Sequence, residues 1–344
     1  MNNKFLYLLI LLISIVFFTG CSGDDAPAPE PTPTPSANDA KEVMEKLWGT
    51  SSLNHNTKRQ EAFDAIQGYA DECSSTYFNN YLKSLDAAAE NTEKYTPALT
   101  CYRAAFDRIL EEVKSTQVEN GTTVMWNLYN MGYIVKTPKG CFAVDICHRY
   151  AEKLEPYLDF LCITHNHADH YNTDLINKMF ANNKPVISNY LKNANYQYTT
   201  KDDFKLFIIG DFTVTINLTN HNESALKNFV TTFQIDCGSD GGDLILMHVG
   251  DSNYKEDQYR IAKPVDIFIA RYAPNAKTEN NIIGKKVTPK YVILSHILEL
   301  SHAGVDESRW SFELGLKRAS DINCDNTIIP FWGEKLIWKN GKLN

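Results

Sequence analysis

The spacing of apolar residues changes near residue 120, from a helical period to short continuous runs. Before that point Phe63, Ile66, Ala70 and Cys73 recur at helical spacing, as do Tyr102, Phe106, Ile109 and Val113. Thr96-Pro97 offers the last of these segments an N-cap followed by proline in the first turn. The pattern predicts two or three antiparallel helices over residues 38–118, bounded by Glu119-Asn120-Gly121. No motif here carries chemistry. A lid over a site and a packing cap both fit it, and the isolated His55 reads as a surface residue.

From Thr122 onward strand-like runs dominate, first at 125–128, 133–136 and 141–146, separated by turn-forming Asn130-Met131-Gly132 and Pro138-Lys139-Gly140. Helical patterns return at 149–158 and 173–181. Further strands are predicted at 160–163, 185–188, 207–209, 212–218, 230–236, 244–249, 267–270 and 291–294. Two strand-rich blocks with interspersed helices suggest two packed sheets covered by helices, an α+β fold occupying residues 119–344.

The N-terminus reads as a processing signal. Lys4 supplies a positive start, and residues 5–18 form an apolar run too short for a spanning helix. Phe18-Thr19-Gly20-Cys21 resembles a bacterial lipobox with Phe in place of the usual Leu, which implies removal of residues 1–20 and acylation of Cys21. An ordinary secretory signal with an incidental cysteine is the alternative. Proline alternates with Ala, Glu and Thr from residue 26, so 21–37 forms a semi-extended tether. The expected address is a lipoprotein on the periplasmic face of an outer membrane or at the cell surface. Without Cys21, seven of the eight cysteines remain, and an odd number leaves at least one thiol unpaired. Cys73 and Cys101 are the expected disulfide, while Cys141, Cys147, Cys162 and Cys237 sit in apolar runs as small core residues. The net charge of −8 disfavours a nucleic-acid partner, which wants clustered Lys and Arg.

The chemistry concentrates in Thr164-His165-Asn166-His167-Ala168-Asp169-His170, three imidazoles and a carboxylate directly after an apolar strand. These side chains suit zinc, iron and manganese. Residues two apart on a strand share a side, so His165 and His167 are expected to converge. Asp169 and His170 follow where the chain turns, aimed at a neighbouring position. Three later strand ends supply further donors: His221, Asp251 in Val249-Gly250-Asp251-Ser252, and His296 in Leu294-Ser295-His296. No Gly-x-Ser-x-Gly elbow, Walker loop or Rossmann fingerprint competes.

In these residues, from about Thr122 to the C-terminus, the chain resembles the metallo-β-lactamase-fold superfamily of metal-dependent hydrolases. The heptapeptide matches that family's H-x-H-x-D-H signature, and His221, Asp251 and His296 match the later ligands in order. The resemblance implies a four-layer αββα sandwich, preceded here by a small helical segment, with two divalent ions, zinc first and manganese or iron next, at one edge of the sheets. It assigns His165, His167 and His221 to one ion, Asp169, His170 and His296 to the other, and Asp251 to the bridge between them. Asp169 and Asp251 are the carboxylates expected to act in catalysis, and Asp145 matches a buried Asp that braces the ligand loop. A bridging hydroxide would attack a carbonyl or phosphoryl centre of a lactone, ester or phosphodiester.

True β-lactamases of the superfamily lack the Asp matched by Asp251; the motif looks closest to the sugar-lactonase and phospholipase-D-like branch, which implies a small-molecule or lipid-like substrate. Two other readings stay open. Some mononuclear iron dioxygenases share the first motif, and a surface-tethered binding protein could keep a vestigial site. His302 is either an outer residue of the site, a proton donor or an alternative ligand. Tyr171, Tyr254, Arg271 and Tyr272 are candidates for the pocket wall.

Overall fold

The computed structural model describes residues 36–84, 86–191, 198–222, 225–271, 282–303 and 309–344. Residues 1–35, which hold the signal segment, Cys21 and nearly all of the tether, lie outside the described residues, as does Tyr272. No helix among the described residues is long and apolar enough to cross a membrane.

Among the described residues five helices precede the first strand: α1 Ala37–Trp48, α2 Thr57–Glu72, α3 Ser75–Lys83, α4 Ala87–Asn91 and α5 Pro97–Ser115. This exceeds the two or three expected, because local caps cut the helical stretch into pieces. Ser36 and Asp39 form a reciprocal capping box on α1, and the side chains of Asn56, Ser74 and Asp86 cap α2, α3 and α4. Thr96 occupies the N-cap of α5, but its hydroxyl makes no cap bond.

Fourteen strands follow among the described residues. The first sheet holds β1 Thr122–Tyr129, β2 Gly132–Thr137, β3 Gly140–Val144, β4 Phe160–Cys162 and β5 Val186–Ile187. The second holds β6 Phe204–Ile209, β7 Phe212–Thr219, β8 Val230–Asp236, β9 Ile245–His248, β10 Ile267–Arg271, β11 Tyr291–Ser295 and β12 Thr327–Ile328. The chain then returns to the first sheet with β13 Lys335–Lys339 and β14 Lys342–Leu343. The orders are β14-β13-β1-β2-β3-β4-β5 and β12-β11-β10-β9-β8-β7-β6. Helix α6, Thr173–Ala181, follows the His cluster, and α7, Phe312–Ala319, precedes β12.

Strand side chains alternate between two cores, which is why the strands read as unbroken apolar runs. Tyr133 and Val135 of β2 face the core between the sheets, where they join Ile216, Phe233 and Ile269. Ile134 faces outward with Phe63, Phe106 and Leu175 of α2, α5 and α6. The molecule is therefore an αββα sandwich, with α1 to α5 packed on it as a cap.

Two buried arginines sew that cap to the sandwich. Arg59 of α2 donates to Glu334 Oε1 at 2.6 Å and to the Ile329 carbonyl at 2.7 Å. Arg309 donates to the carbonyls of Ala70 and Cys73 at the end of α2, and also to those of Leu300 and His302. Cys73 and Cys101 are both free thiols, so the expected disulfide does not form. The two sulfurs serve different contacts: Cys101 Sγ lies 3.8 Å from the Ala40 carbonyl of α1, while Cys73 ends α2 beside Arg309. Burial pushes their thiols up to about 12 and about 11.

His148 is a third stitch. Its ring stacks on Tyr102 at 3.8 Å and on Phe106 at 4.6 Å between centroids. Nε2 donates to the Tyr102 carbonyl and Nδ1 accepts from the Tyr150 amide, both at 3.2 Å, so the neutral ring is fully used. Burial holds its pKa down to about 3. Below pH 6.5 the unfolded chain takes up a proton that the folded chain refuses, so stability present at neutral pH is lost as the pH falls from 6.5 towards 3. Between pH 7 and pH 4.5 the expected loss from this residue is about 2–3 kcal/mol. Denaturant unfolding at both pH values should show a smaller pH gap in His148→Phe than in the wild type; equal gaps would refute the assignment.

Candidate metal centre

Each candidate ligand stands where a strand ends on one edge of the sandwich. β4 feeds the segment Thr164–His170, β7 ends before His221, β9 before Asp251 and β11 before His296. Backbone bonds clamp these ends, one between the sheets and one within the second: Thr231 N donates to Thr164 O and Asn222 N to Asp251 O, both at 2.8 Å. His296 itself adopts φ 63°, a left-handed conformation uncommon for a side-chain-bearing residue.

The ligand atoms of His165, His167 and His221 lie within 4.8 Å of one another, as do those of Asp169, His170 and His296. The rings of His165 and His221 are 5.2 Å apart, and those of His170 and His296 5.8 Å. Asp251 sits between the groups, with Oδ1 3.5 Å from His170 Nε2 and Oδ2 3.5 Å from His221 Nε2. Oδ2 is also 3.7 Å from His296 Nε2. His165 and His167 converge although the chain has already left the strand at Cys162, and Asp169 and His170 fall on a 3-10 turn, Ala168–His170.

A fit test follows from the buried polar atoms. Nε2 of His165, His170 and His296 and Oδ1 of Asp251 are buried and make no hydrogen bond. Buried polar atoms are normally satisfied; here several lone pairs point at one another across a space a few ångströms wide. Five imidazoles and two carboxylates are the donor set of divalent zinc, manganese or iron. The residues fit such ions.

Charge is tuned the same way. Burial, then the charge of His170, holds His165 well below the usual imidazole range, and burial with His221 lowers His167. Burial works against the charge on Asp169 and Asp251, but His170 and His296 keep both well below the usual carboxylate range. His170 goes the other way: burial opposes its proton, and Asp169, Asp145 and Asp251 outweigh burial. Deprotonated carboxylates and neutral imidazoles are the forms that coordinate a cation.

Asp145 orients two of the histidines. Fully buried and at φ 49°, it accepts from Thr164 N at 2.7 Å, Thr164 Oγ1 at 2.6 Å and His170 Nδ1 at 2.8 Å. Thr164 spends its hydroxyl hydrogen on Asp145, so its oxygen, 3.0 Å from His165 Nδ1, accepts from that ring. His165 then carries its proton on Nδ1, His170 donates its Nδ1 proton to Asp145, and both rings turn Nε2 to the centre. Glycine is required at 250: a Cβ there would lie 2.5 Å from Thr164 Oγ1, and φ is 49°.

Three functional residues escaped the sequence reading. Thr164 was seen only as part of the motif. Asn130, left-handed at φ 52° in the β1–β2 turn, donates Nδ2 to Asp169 Oδ2 at 3.1 Å and to its carbonyl at 3.0 Å. Glu299, an acid inside the apolar run after His296, is buried and accepts from Tyr129 Oη at 2.7 Å and Ser301 Oγ at 2.6 Å. His302 lies on the rim: its Nδ1 is 3.0 Å from Glu299 Oε2, its ring stacks on His296 at 5.6 Å, and the Glu299 contact raises its pKa. Arg271 reaches the centre, Nη1 3.8 Å from Asp251 Oδ2, and Tyr254 Oη donates to the Arg271 carbonyl at 3.1 Å. Tyr171 stands further out, 6.0 Å from Tyr190 between rings. Beside the His165 group opens a cavity of about 530 Å³, lined by Asn166, Lys201, Asp203, Lys227 and Phe229 among others. The Phe229 ring is the shared wall, 5.0 Å from His167 and 5.6 Å from His165.

No family model and no curated protein matches this chain. Solved structures do. The metallo-beta-lactamase fold protein YhfI from Bacillus subtilis is 16% identical, with a TM-score of 0.44 over 63% of this chain and 98% of that one. Igni18, a metallo hydrolase from the archaeon Ignicoccus hospitalis, is 15% identical, with a TM-score of 0.44 over 63% of this chain and 99% of that one. CmlA, a diiron beta-hydroxylase from Streptomyces venezuelae, is 11% identical, with a TM-score of 0.43 over 65% of this chain and 55% of that one. Hydrolase and hydroxylase stand side by side in these likenesses, and at such scores neither assigns a reaction to this chain.

Proposed function

We propose that this protein is a dinuclear metal-dependent hydrolase of the metallo-β-lactamase fold, acting on a lactone, ester or phosphodiester. The observation that carries this reading is the pair of three-residue donor groups sharing Asp251 at one edge of the sandwich. His165, His167 and His221 would hold one divalent ion, Asp169, His170 and His296 the other. When bound, two such ions bring the pKa of a shared water towards about 7 and withdraw charge from the substrate oxygen. The protein's own part is positional: Asp145 and Thr164 fix the imidazole tautomers, and Asn130 fixes Asp169. Phe229 sets an apolar ring against the face of the His165 group. Burial keeps the thiols of Cys147 and Cys162 far above neutrality, which argues against a cysteine nucleophile.

The test is metal analysis together with a panel of lactone, phosphodiester and thioester chromogens. About two zinc or manganese equivalents per chain, with turnover that a chelator removes and the metal restores, is the expected result. One iron per chain with thiol-dependent oxygen uptake would replace hydrolysis by dioxygenation; neither metal nor turnover would mean a binding protein. The reading includes an acyl anchor on Cys21, supported by the near-lipobox and the proline-rich tether.

A further inference from the structure

Six large hydrophobic side chains are exposed among the described residues: Tyr77, Tyr95, Tyr157, Phe204, Leu206 and Ile208. The three tyrosines are spread over the sequence and carry a hydroxyl suited to water. The other three stand at alternate positions of one strand, β6, and so project from one face. They are 38%, 52% and 73% exposed, while Phe207 between them turns into the inter-sheet core. Among the described residues β6 is the outermost strand of its sheet and pairs with β7 alone, Phe204 opposite Asn217, Leu206 opposite Thr215 and Ile208 opposite Thr213. Edge strands are usually guarded by charge or proline on such positions. This one presents an apolar strip about 13 Å long, from the rise of an extended chain.

Two coverings are physically open, a second copy of the chain and a lipid surface. Taking about 200 Å² for a large side chain, the three expose roughly 300 Å² together. A stable protein interface buries about 800 Å² per partner, so the strip alone is too small for a dimer. A lipid surface asks for less. Fourteen residues separate Cys21 from Ser36. At ~3.1 Å per residue they reach about 45 Å, comparable with the width of a domain of this size. A contact too weak to recruit a free protein suffices once a tether makes it intramolecular.

We propose that the outer face of β6 is a second membrane contact, Phe204, Leu206 and Ile208 entering the boundary between headgroups and acyl chains. The inference rests on the membrane attachment in the reading above, though not on the hydrolytic reaction. It has a consequence for access. Lys201 and Asp203, which line the cavity beside the candidate centre, lie within three residues of Phe204, so a docked β6 brings that cavity close to the lipid surface.

The experiment uses the full-length protein in vesicles of phosphatidylcholine and phosphatidylglycerol, with Cys324, the part-exposed thiol among the described cysteines, replaced by serine. An environment-sensitive fluorophore is placed at Ile208→Cys or, as a water-exposed control, at Tyr95→Cys. The expected result is a blue-shifted emission at 208, quenched at least about two-fold by nitroxide-bearing lipid, and no quenching at 95. Adding Leu206→Glu should abolish the quenching at 208 while the melting temperature holds. Emission at 208 as water-exposed as at 95 would overturn the proposal. So would shielding that grows with protein density and ignores the lipid quencher, because then a second copy covers the strand. Labelled fatty acid is measured on the same preparations. A Cys21→Ser chain should lose that label; a persisting label refutes the anchor at Cys21 alone, because the β6 contact is read from the quenching at 208.

Discussion

Asp251→Ala is expected to lower turnover by at least about 10³-fold, the upper range for removing one preorganised electrostatic group. Metal content should fall from about two equivalents per chain to one or fewer. The reason is geometric: Asp251 faces both donor groups, its two oxygens at 3.5 Å from His170 Nε2 and His221 Nε2. Alanine leaves each group with three donors and nothing to hold two cations against their repulsion. His302→Ala makes the contrast. His302 converges with Asp169 and Glu299 rather than with Asp251, and its Nδ1 faces Glu299, so the expected loss is no more than the ~10²-fold of a proton-transferring group. Steady-state kinetics on metal-saturated protein, with metal content measured on the same samples, checks both. Nearly full activity in metal-loaded Asp251→Ala would end the bridging assignment.

Arg59→Met is expected to cost about 3–5 kcal/mol of stability, the range for breaking a buried ion pair from one side. Glu334 would keep its carboxylate 4% exposed with the Phe331 amide, at 2.7 Å, as its remaining hydrogen-bond donor in place of a guanidinium. Burial already raises the Glu334 pKa, with Arg59 holding it back. The melting temperature should fall by roughly 10 °C, at a few degrees per kcal/mol for a chain of this size. Arg59→Met with Glu334→Leu should recover most of the loss, since apolar replacement of a whole buried pair is often neutral. A single-variant melting temperature within about 2 °C of the wild type would show that the pair does not hold cap to sandwich.

The donors of the candidate centre were legible because their residue types are rare and their order follows strand ends. The sandwich was legible because doubly buried strands leave unbroken apolar runs. What failed has physical causes too. β13, Lys335–Lys339, is short, alternates buried and exposed positions, and finds its partner β1 some two hundred residues earlier, a pairing that local pattern cannot reveal. Asn130 and Glu299 are ordinary residue types whose role exists only in contacts across the fold, Asn130 with Asp169 and Glu299 with Tyr129. Cys73 and Cys101 share a helical region, but sequence proximity says nothing of which neighbour each sulfur meets. Five helices stood where two or three were expected because Ser74 and Asp86 act as caps inside one helical-looking stretch.

Asp145 has one further consequence. Through Thr164 it sets His165, a member of one donor group, and directly it sets His170, a member of the other. The two halves of the centre therefore share a single hinge. Ordering either imidazole fixes the carboxylate, and a fixed carboxylate preorders its counterpart. If two ions bind as proposed above, filling one half would lower the entropic cost of filling the second, a positive cooperativity without any change of fold. A chelator would then empty such a centre as a unit, with half-loaded protein a minor species throughout the titration.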